Sequence, residues 1–255
     1  MDLELDGRVV LITGGTDGLG LALARRLVDE GASVAVCGRD AGRLERAQAA
    51  LGGDALCVEA DVTNAGDREV FVESARARFG RIDGLVNNAG RAASSAVAAS
   101  TDDQWRDDYE LKVISALGLS RLVLDDLEST GGAILNVLAV SARTPGARSP
   151  PTAASRAAGL ALTKALANEV GSRGIRVNAV LIGLVESGQW VRRARAAGTT
   201  VDELYDELVR GNAIALGRVG RSDEFADLAA FLLSKRASYV TGVGVALDGG
   251  LSPVI

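Results

Sequence analysis

The stretch Arg8–Gly20, RVVLITGGTDGLG, joins a short aliphatic run to a glycine-rich turn and then to a helical pattern that opens at Leu19. An apolar run of this length, rich in β-branched residues, reads as a buried strand. Glycines at positions 14, 18 and 20 permit a tight turn. They also let backbone amides approach a pyrophosphate at the positive end of a helix dipole. Such spacing is also compatible with a plain strand-to-helix turn, so its meaning depends on what surrounds it. The candidate nucleotide contacts of the turn are Gly14, Thr16, Asp17, Gly18 and Leu19.

Outward from this stretch the same rhythm continues. Short apolar runs at Arg8–Thr13, Ser33–Cys37, Ala55–Glu59, Gly84–Asn87, Ala133–Val137, Arg176–Val180 and Gly244–Leu247 alternate with helical spacing. The helical stretches include Leu19–Glu30, Asp67–Phe79, Asp102–Leu127, Ala153–Gly171 and Ser222–Leu233. Alternation of this kind predicts an α/β fold. The expected architecture is one Rossmann-type, doubly wound parallel sheet of about seven strands over residues 1–255, flanked by helices. Pro145, Pro150 and Pro151 are expected in one loop after the fifth strand, and Gly183–Thr200 reads as an irregular, mobile cover. Substrate loops are accordingly expected at about 139–152 and 183–212.

Composition narrows the function classes. With 255 residues, 47% of them hydrophobic, the chain is long enough to bury a core without disulfide or metal support. There is no histidine and there are only two cysteines, Cys37 and Cys57, outside any CxxC spacing, which excludes a Cys/His zinc site. No metal is expected, and a reducing, cytoplasmic location is. Acidic residues outnumber basic ones, 33 to 28, which argues against nucleic acid as a partner. No apolar run has the length of a membrane span.

Five motifs together resemble the short-chain dehydrogenase/reductase family over nearly the whole chain. They are the TGxxxGxG turn at Thr13–Gly20, Asp61-Val62 after the third strand, Asn87-Asn88-Ala89-Gly90 after the fourth, Arg176-Val177-Asn178 in the sixth, and Asp248-Gly249-Gly250. The resemblance implies that Asp61, with Val62, faces an adenine and that Asn88, Ala89 and Gly90 line the cofactor groove. It also implies that Gly183, Val185 and Ser187 hold the nicotinamide carboxamide. Ile182 stands where the family usually has proline, which loosens the local turn. Gly38 occupies the position of the acidic residue found in NAD-preferring relatives and Arg39 follows it, so NADP(H) is the expected cofactor. The alternative reading makes Arg39 a solvated cation beside Asp40, the N-cap of the next helix.

The chemical end departs from the family. Its members use Asn, Ser, Tyr and Lys, the last two spaced YxxxK. Residues four beyond Tyr109, Tyr205 and Tyr239 are all valine. Alignment on flanking residues puts Thr152 at the tyrosine position, Arg156 at the lysine, Ala139 at the serine and Lys112 at the asparagine. An aliphatic hydroxyl is far less acidic than a phenol, and guanidinium does not relay protons, so the usual proton handling is absent. The candidate catalytic residues are therefore Lys112, Arg156, Thr152 and, if the loop slips, Ser141. Lys112 buried beside Arg156 would have a depressed pKa and act as general acid or electrostatic anchor; the alternative is a lysine turned away from the site. Tyr109, one turn earlier, reads as core or as a spare phenol.

Arg143 and Arg148 border the same region, and Arg192, Arg193 and Arg195 follow the cover segment. With Gln189 and Trp190 they suggest a small anionic, planar or cyclic substrate. Arg143, Gln189 and Trp190 are the candidate substrate residues. Three functions stay open: an oxidoreductase with unusual proton handling, a non-redox isomerase, cyclase or lyase, and a silent NADP-binding sensor or partner protein. The resemblance also implies a homodimer or homotetramer, through the alanine-rich Ala153–Gly171 helix and the apolar tail Leu251–Ile255.

Overall fold

The computed structural model describes every residue except Asp54, Ser94, Arg148 and Ile255. Seven parallel strands form one sheet in the order β3-β2-β1-β4-β5-β6-β7. They are β1 (Val9–Thr13), β2 (Ser33–Gly38), β3 (Ala55–Glu59), β4 (Gly84–Asn87), β5 (Ala133–Ala139), β6 (Arg176–Ile182) and β7 (Gly244–Leu247). Strands β1 and β4 are buried from end to end, as a parallel sheet covered on both faces requires. Strands β5 and β6 each run two residues further than the hydrophobic pattern predicts. Leu138↔Leu181 and Ala139↔Ile182 add rungs that carry both strands up to the rim of the site.

Helices α1 (Gly18–Asp29), α2 (Ala41–Leu51), α3 (Ala65–Phe79), α4 (Asp102–Tyr109), α5 (Ser115–Thr130), α6 (Pro150–Val170), α7 (Gly188–Ala197), α8 (Val201–Asn212) and α9 (Ser222–Leu233) complete the fold. Leu23, Leu27, Phe225 and Ala229, from α1 and α9, join one core cluster with Val34 and Val36. Phe71, Leu119, Val123 and Leu166, from α3, α5 and α6, join the other with Leu11 and Leu85. Strand order reverses between β1 and β4, and the crevice above their carboxyl ends is where ligands bind in such sheets. No helix among the described residues is long and apolar enough to cross a membrane.

Three local expectations are corrected. Pro150 and Pro151 lie in the first turn of α6, where the missing amide and the fixed φ of proline cost nothing. The segment expected to be irregular, Gly183–Thr200, contains α7 and ends on Thr200, the N-cap of α8, which a capping box with Glu203 opens. The long helix expected over Asp102–Leu127 is interrupted: Glu110–Ile114 forms one π turn between α4 and α5. Arg148 lies outside the described residues.

Candidate active site

One cavity of about 450 Å³ opens above the switch point, a size that suits a cofactor with a small substrate. Every cofactor residue expected from the sequence lines it, from Gly14, Thr16, Asp17, Gly18 and Leu19 through Arg39, Asp61 and Val62. Asn88, Ala89, Gly90, Gly183, Val185 and Ser187 line it as well. Ser141, Thr152, Arg156, Gln189 and Trp190 line its other end.

The glycine turn is built for close approach. Gly14 and Gly18 have positive φ, and a Cβ on Gly20 would come within 2.5 Å of both the Asn88 side chain and the Gly14 carbonyl. Thr13 fixes the facing loop by accepting the amides of Asn88 and Ala89 at 2.9 Å. Asp17 caps α1 by accepting the Gly18 amide at 2.8 Å. Its other oxygen pairs with Arg192 of α7 at 2.9 Å and with Arg43 of α2 at 3.8 Å, so three helices meet at one carboxylate.

Arg39 is exposed and bonds to Asp61 at 3.2 Å. Burial works to raise the Asp61 pKa, but bonds from the Thr63 amide and hydroxyl and from Arg39 outweigh it and hold the carboxyl below its ordinary range. Arg43 lines the same cavity, as does Cys37, whose thiol burial pushes up to about 12 and thereby keeps it from acting as a nucleophile. Next to Gly18, Ser187 Oγ is buried without a hydrogen-bond partner among the described residues. An orphaned hydroxyl, glycines that keep Cβ atoms out, and the N-terminus of α1 are together what a dinucleotide needs. The residues present fit one.

At the chemical end the structure brings together more than the sequence indicated. Lys112 and Asp108 form an ion pair at 2.5 Å with side chains only 4% and 1% exposed. Lys112 also donates to Thr152 Oγ1 at 2.7 Å, and Ser155 donates to the second Asp108 oxygen at 2.5 Å. Burial lowers the Lys112 pKa, aided by the charges of Arg156 and Arg91 and opposed by Asp108; the outcome is about 8. Arg156 donates to the Val137 carbonyl at 3.2 Å, and burial works against its charge.

Some expectations need correction. Lys112 faces the site but through Thr152: it lines a separate space of about 20 Å³ behind the main cavity. Arg143 does not face the main cavity. Its guanidinium donates to the carbonyl of Gly244, the first residue of edge strand β7, at 2.9 Å. Tyr109 is half-buried, outside the core, and its phenol has no hydrogen bond among the described residues; Asp108 takes the buried side of that turn. Trp190 lines the cavity with its indole N–H bonded to the Val185 carbonyl at 3.0 Å and Arg193 over its ring. Sequence reading missed Asp108, Ser155 and Arg43, and it grouped Arg192 with the substrate end, whereas the structure pairs it with Asp17. For Asp108 a signal existed: an acid four residues before a lysine is a helical pair.

Residues 14–252 match a family model described as enoyl-(acyl carrier protein) reductase. A 3-oxoacyl-(acyl carrier protein) reductase of Chlamydia pneumoniae is 31% identical, over 99% of this chain and all of that one. A short chain oxidoreductase of Pseudomonas aeruginosa, solved with NADPH and described as containing an atypical catalytic center, is 37% identical. It covers 97% of this chain and 98% of its own at a TM-score of 0.92. L-Sorbose reductase of Gluconobacter frateurii, solved with NADPH and L-sorbose, is 30% identical over the full length of both chains at a TM-score of 0.95. Fold, glycine turn and these similarities agree, and the chain belongs to the short-chain dehydrogenase/reductase family of nicotinamide-dependent oxidoreductases.

Proposed function

We propose that the protein is an NADP(H)-dependent oxidoreductase that moves a hydride to or from a small anionic or cyclic substrate without a tyrosine–lysine proton relay. The observation that carries this reading is the continuity of the cavity, which runs from Gly14 and Arg39 at one end to Thr152, Arg156 and Trp190 at the other. A nicotinamide held between Ser187 and Ala89 would present its ring towards Thr152. The bound cofactor supplies the hydride; the chain positions and polarises the acceptor.

Arg39 favours NADP(H), because a guanidinium pairs with a 2′-phosphate and Gly38 leaves room with no competing carboxylate at that position. Arg43, on the same wall, adds a second cation. Lys112, Arg156 and Asp108 leave one net positive charge at the chemical end, which favours a carboxylate or a developing oxyanion. Gln189 and the indole of Trp190 offer an amide and a flat face to a ring.

Fluorescence titration with NADPH and NADH tests the reading. Micromolar NADPH binding that Arg39→Ala weakens about 10–100-fold, the range of a charge-assisted hydrogen bond, is expected, with NADH affinity changed less than threefold. Equal loss for both cofactors overturns the NADP(H) assignment. No binding of either returns the non-redox reading.

The assembly we propose is a homodimer or homotetramer. Ala157, Ala161 and Ala165 lie exposed along α6, a face of small residues on which a second copy could pack closely. Analytical ultracentrifugation giving a monomer at micromolar concentration would end that proposal.

A further inference from the structure

The buried side chains behind Thr152 form a directed chain that the family's usual residues do not supply. Lys112 donates to Thr152 Oγ1, so that oxygen is an acceptor on its inner side. The Thr152 hydroxyl hydrogen has no acceptor among the described residues, while Thr152 lines the main cavity and Lys112 does not. Asp108 holds Lys112 from one carboxylate oxygen and receives Ser155 on the other, which fixes the carboxylate across the α4–α6 contact.

We propose that Thr152, Lys112 and Asp108 form a proton relay, in which Thr152 is the catalytic residue that touches the substrate oxygen, Lys112 the proton source behind it, and Asp108 a positioning residue. The proposal rests on the oxidoreductase reading above and names the proton path that reading lacks. In the reducing direction a bound reduced nicotinamide would supply the hydride, giving up one C–H bond as a new one forms at the carbonyl carbon, and the C=O π pair would move to oxygen. That oxygen takes the proton of the Thr152 hydroxyl as Thr152 takes one from Lys112 Nζ. One N–H bond breaks and one O–H bond forms on the product. The carbonyl is reduced, the nicotinamide is oxidised, and Lys112 is left neutral on Asp108.

Because the proton leaves and arrives at Thr152 together, the weak acidity of an aliphatic hydroxyl is no obstacle; the acid is the ammonium. The charged groups facing Lys112 are Asp108 from its own helix, Arg156 from α6 and Arg91 from the loop after β4. The space of about 20 Å³ beside Lys112 has room for one water, a route for return of the proton from solvent.

The experiment combines NADPH titration, steady-state turnover of a panel of cyclic diketones and aryl 2-oxo acids, and NMR of ¹³C-lysine-labelled protein. The chain has only three lysines, Lys112, Lys164 and Lys235, so the Lys112 Cε resonance can be assigned by its loss in Lys112→Met. It should titrate near pH 8. Carbonyl reduction should decline above that pH and the reverse oxidation should rise through it. Thr152→Val should lower kcat at least ~100-fold, the low end for general acid catalysis, with NADPH affinity within threefold of the parent, and Thr152→Ser should stay within tenfold. Asp108→Asn removes the charge that supports the ammonium, so the limb should move to lower pH.

Thr152→Val turning over at more than a third of the parental rate overturns the relay and leaves the oxidoreductase reading standing. A Lys112 midpoint above pH 10, or a flat reduction profile from pH 7 to 9, does the same. A parent protein that binds NADPH but transfers hydride to no member of the panel removes both.

Discussion

The two ends of the cavity hold their charges in opposite ways. At the nucleotide end the ion pairs lie in solvent: the Arg39 side chain is 65% exposed and that of Arg192 56%. At the chemical end Lys112 and Asp108 have almost no contact with solvent. Exposed pairs contribute little to stability and exchange partners cheaply, so Arg39, Arg43 and Arg192 can release Asp61 and Asp17 when phosphates arrive. A buried pair is the reverse case. Its desolvation is costly, neither member can be left alone, and the geometry is therefore set before any substrate enters. One end is organised to trade contacts and the other to keep them.

The largest test of this contrast is Asp108→Leu. It strands a buried ammonium and should cost about 3–5 kcal/mol in urea unfolding, whereas the double variant Asp108→Leu/Lys112→Met should recover most of that loss. A single-variant loss under about 1 kcal/mol would place the pair with the exposed ones and dissolve the distinction.

A smaller effect concerns pH. The folded-state pKa of Lys112, about 8, lies below the ordinary lysine value of 10.5. Between these values the unfolded chain binds more protons than the folded one, so the Lys112 contribution to stability rises with pH across that window. The difference in stability between the parent and Lys112→Met, measured by urea melts at pH 7.5 and 10, should therefore shift in favour of the parent at the higher pH.

The smallest effect is expected at the lid. Arg192→Ala should change unfolding stability by less than about 0.5 kcal/mol. It should weaken NADPH only a few-fold, with a shallower salt dependence of the measured Kd. A tenfold or greater loss of affinity would make the lid cation part of the fixed machinery.

The same contrast explains what could be read from the chain. The nucleotide end is set largely by backbone: glycines at fixed intervals between an apolar run and a helical pattern, local features that sequence order keeps together. The seven strands were legible for the same reason, since a parallel sheet covered on both faces leaves continuous apolar runs. The chemical end is set by side chains that meet across 40 and 47 residues, as Lys112 meets Thr152 and Asp108 meets Ser155. Alignment on flanking residues singled out Thr152, Arg156 and Lys112, but not that Asp108 stands behind Lys112. Three residues before Lys112 stands Tyr109, but the lysine's bonded partner is the carboxylate of Asp108 four residues before it. Pro150 and Pro151 read as loop because proline cannot continue a helix interior, yet in the first turn of α6 its missing amide is one no intrahelical bond needs.

The π turn at Glu110–Ile114 gives the site a further property. A helix advances about 100° per residue, so one residue more or less changes which way everything on one side of the change points. Here the turn absorbs such an offset: Asp108 belongs to the frame started by the Thr101 capping box, and the core residues Leu119 and Val123 belong to the frame that follows. A substitution that keeps the backbone helical leaves that phase unaltered, but a change in the length of the turn does not. Shortening it by one residue while α5 stays anchored in the core would swing the carboxylate away from the ammonium, and the chemistry would be lost by rotation, with no charged group removed.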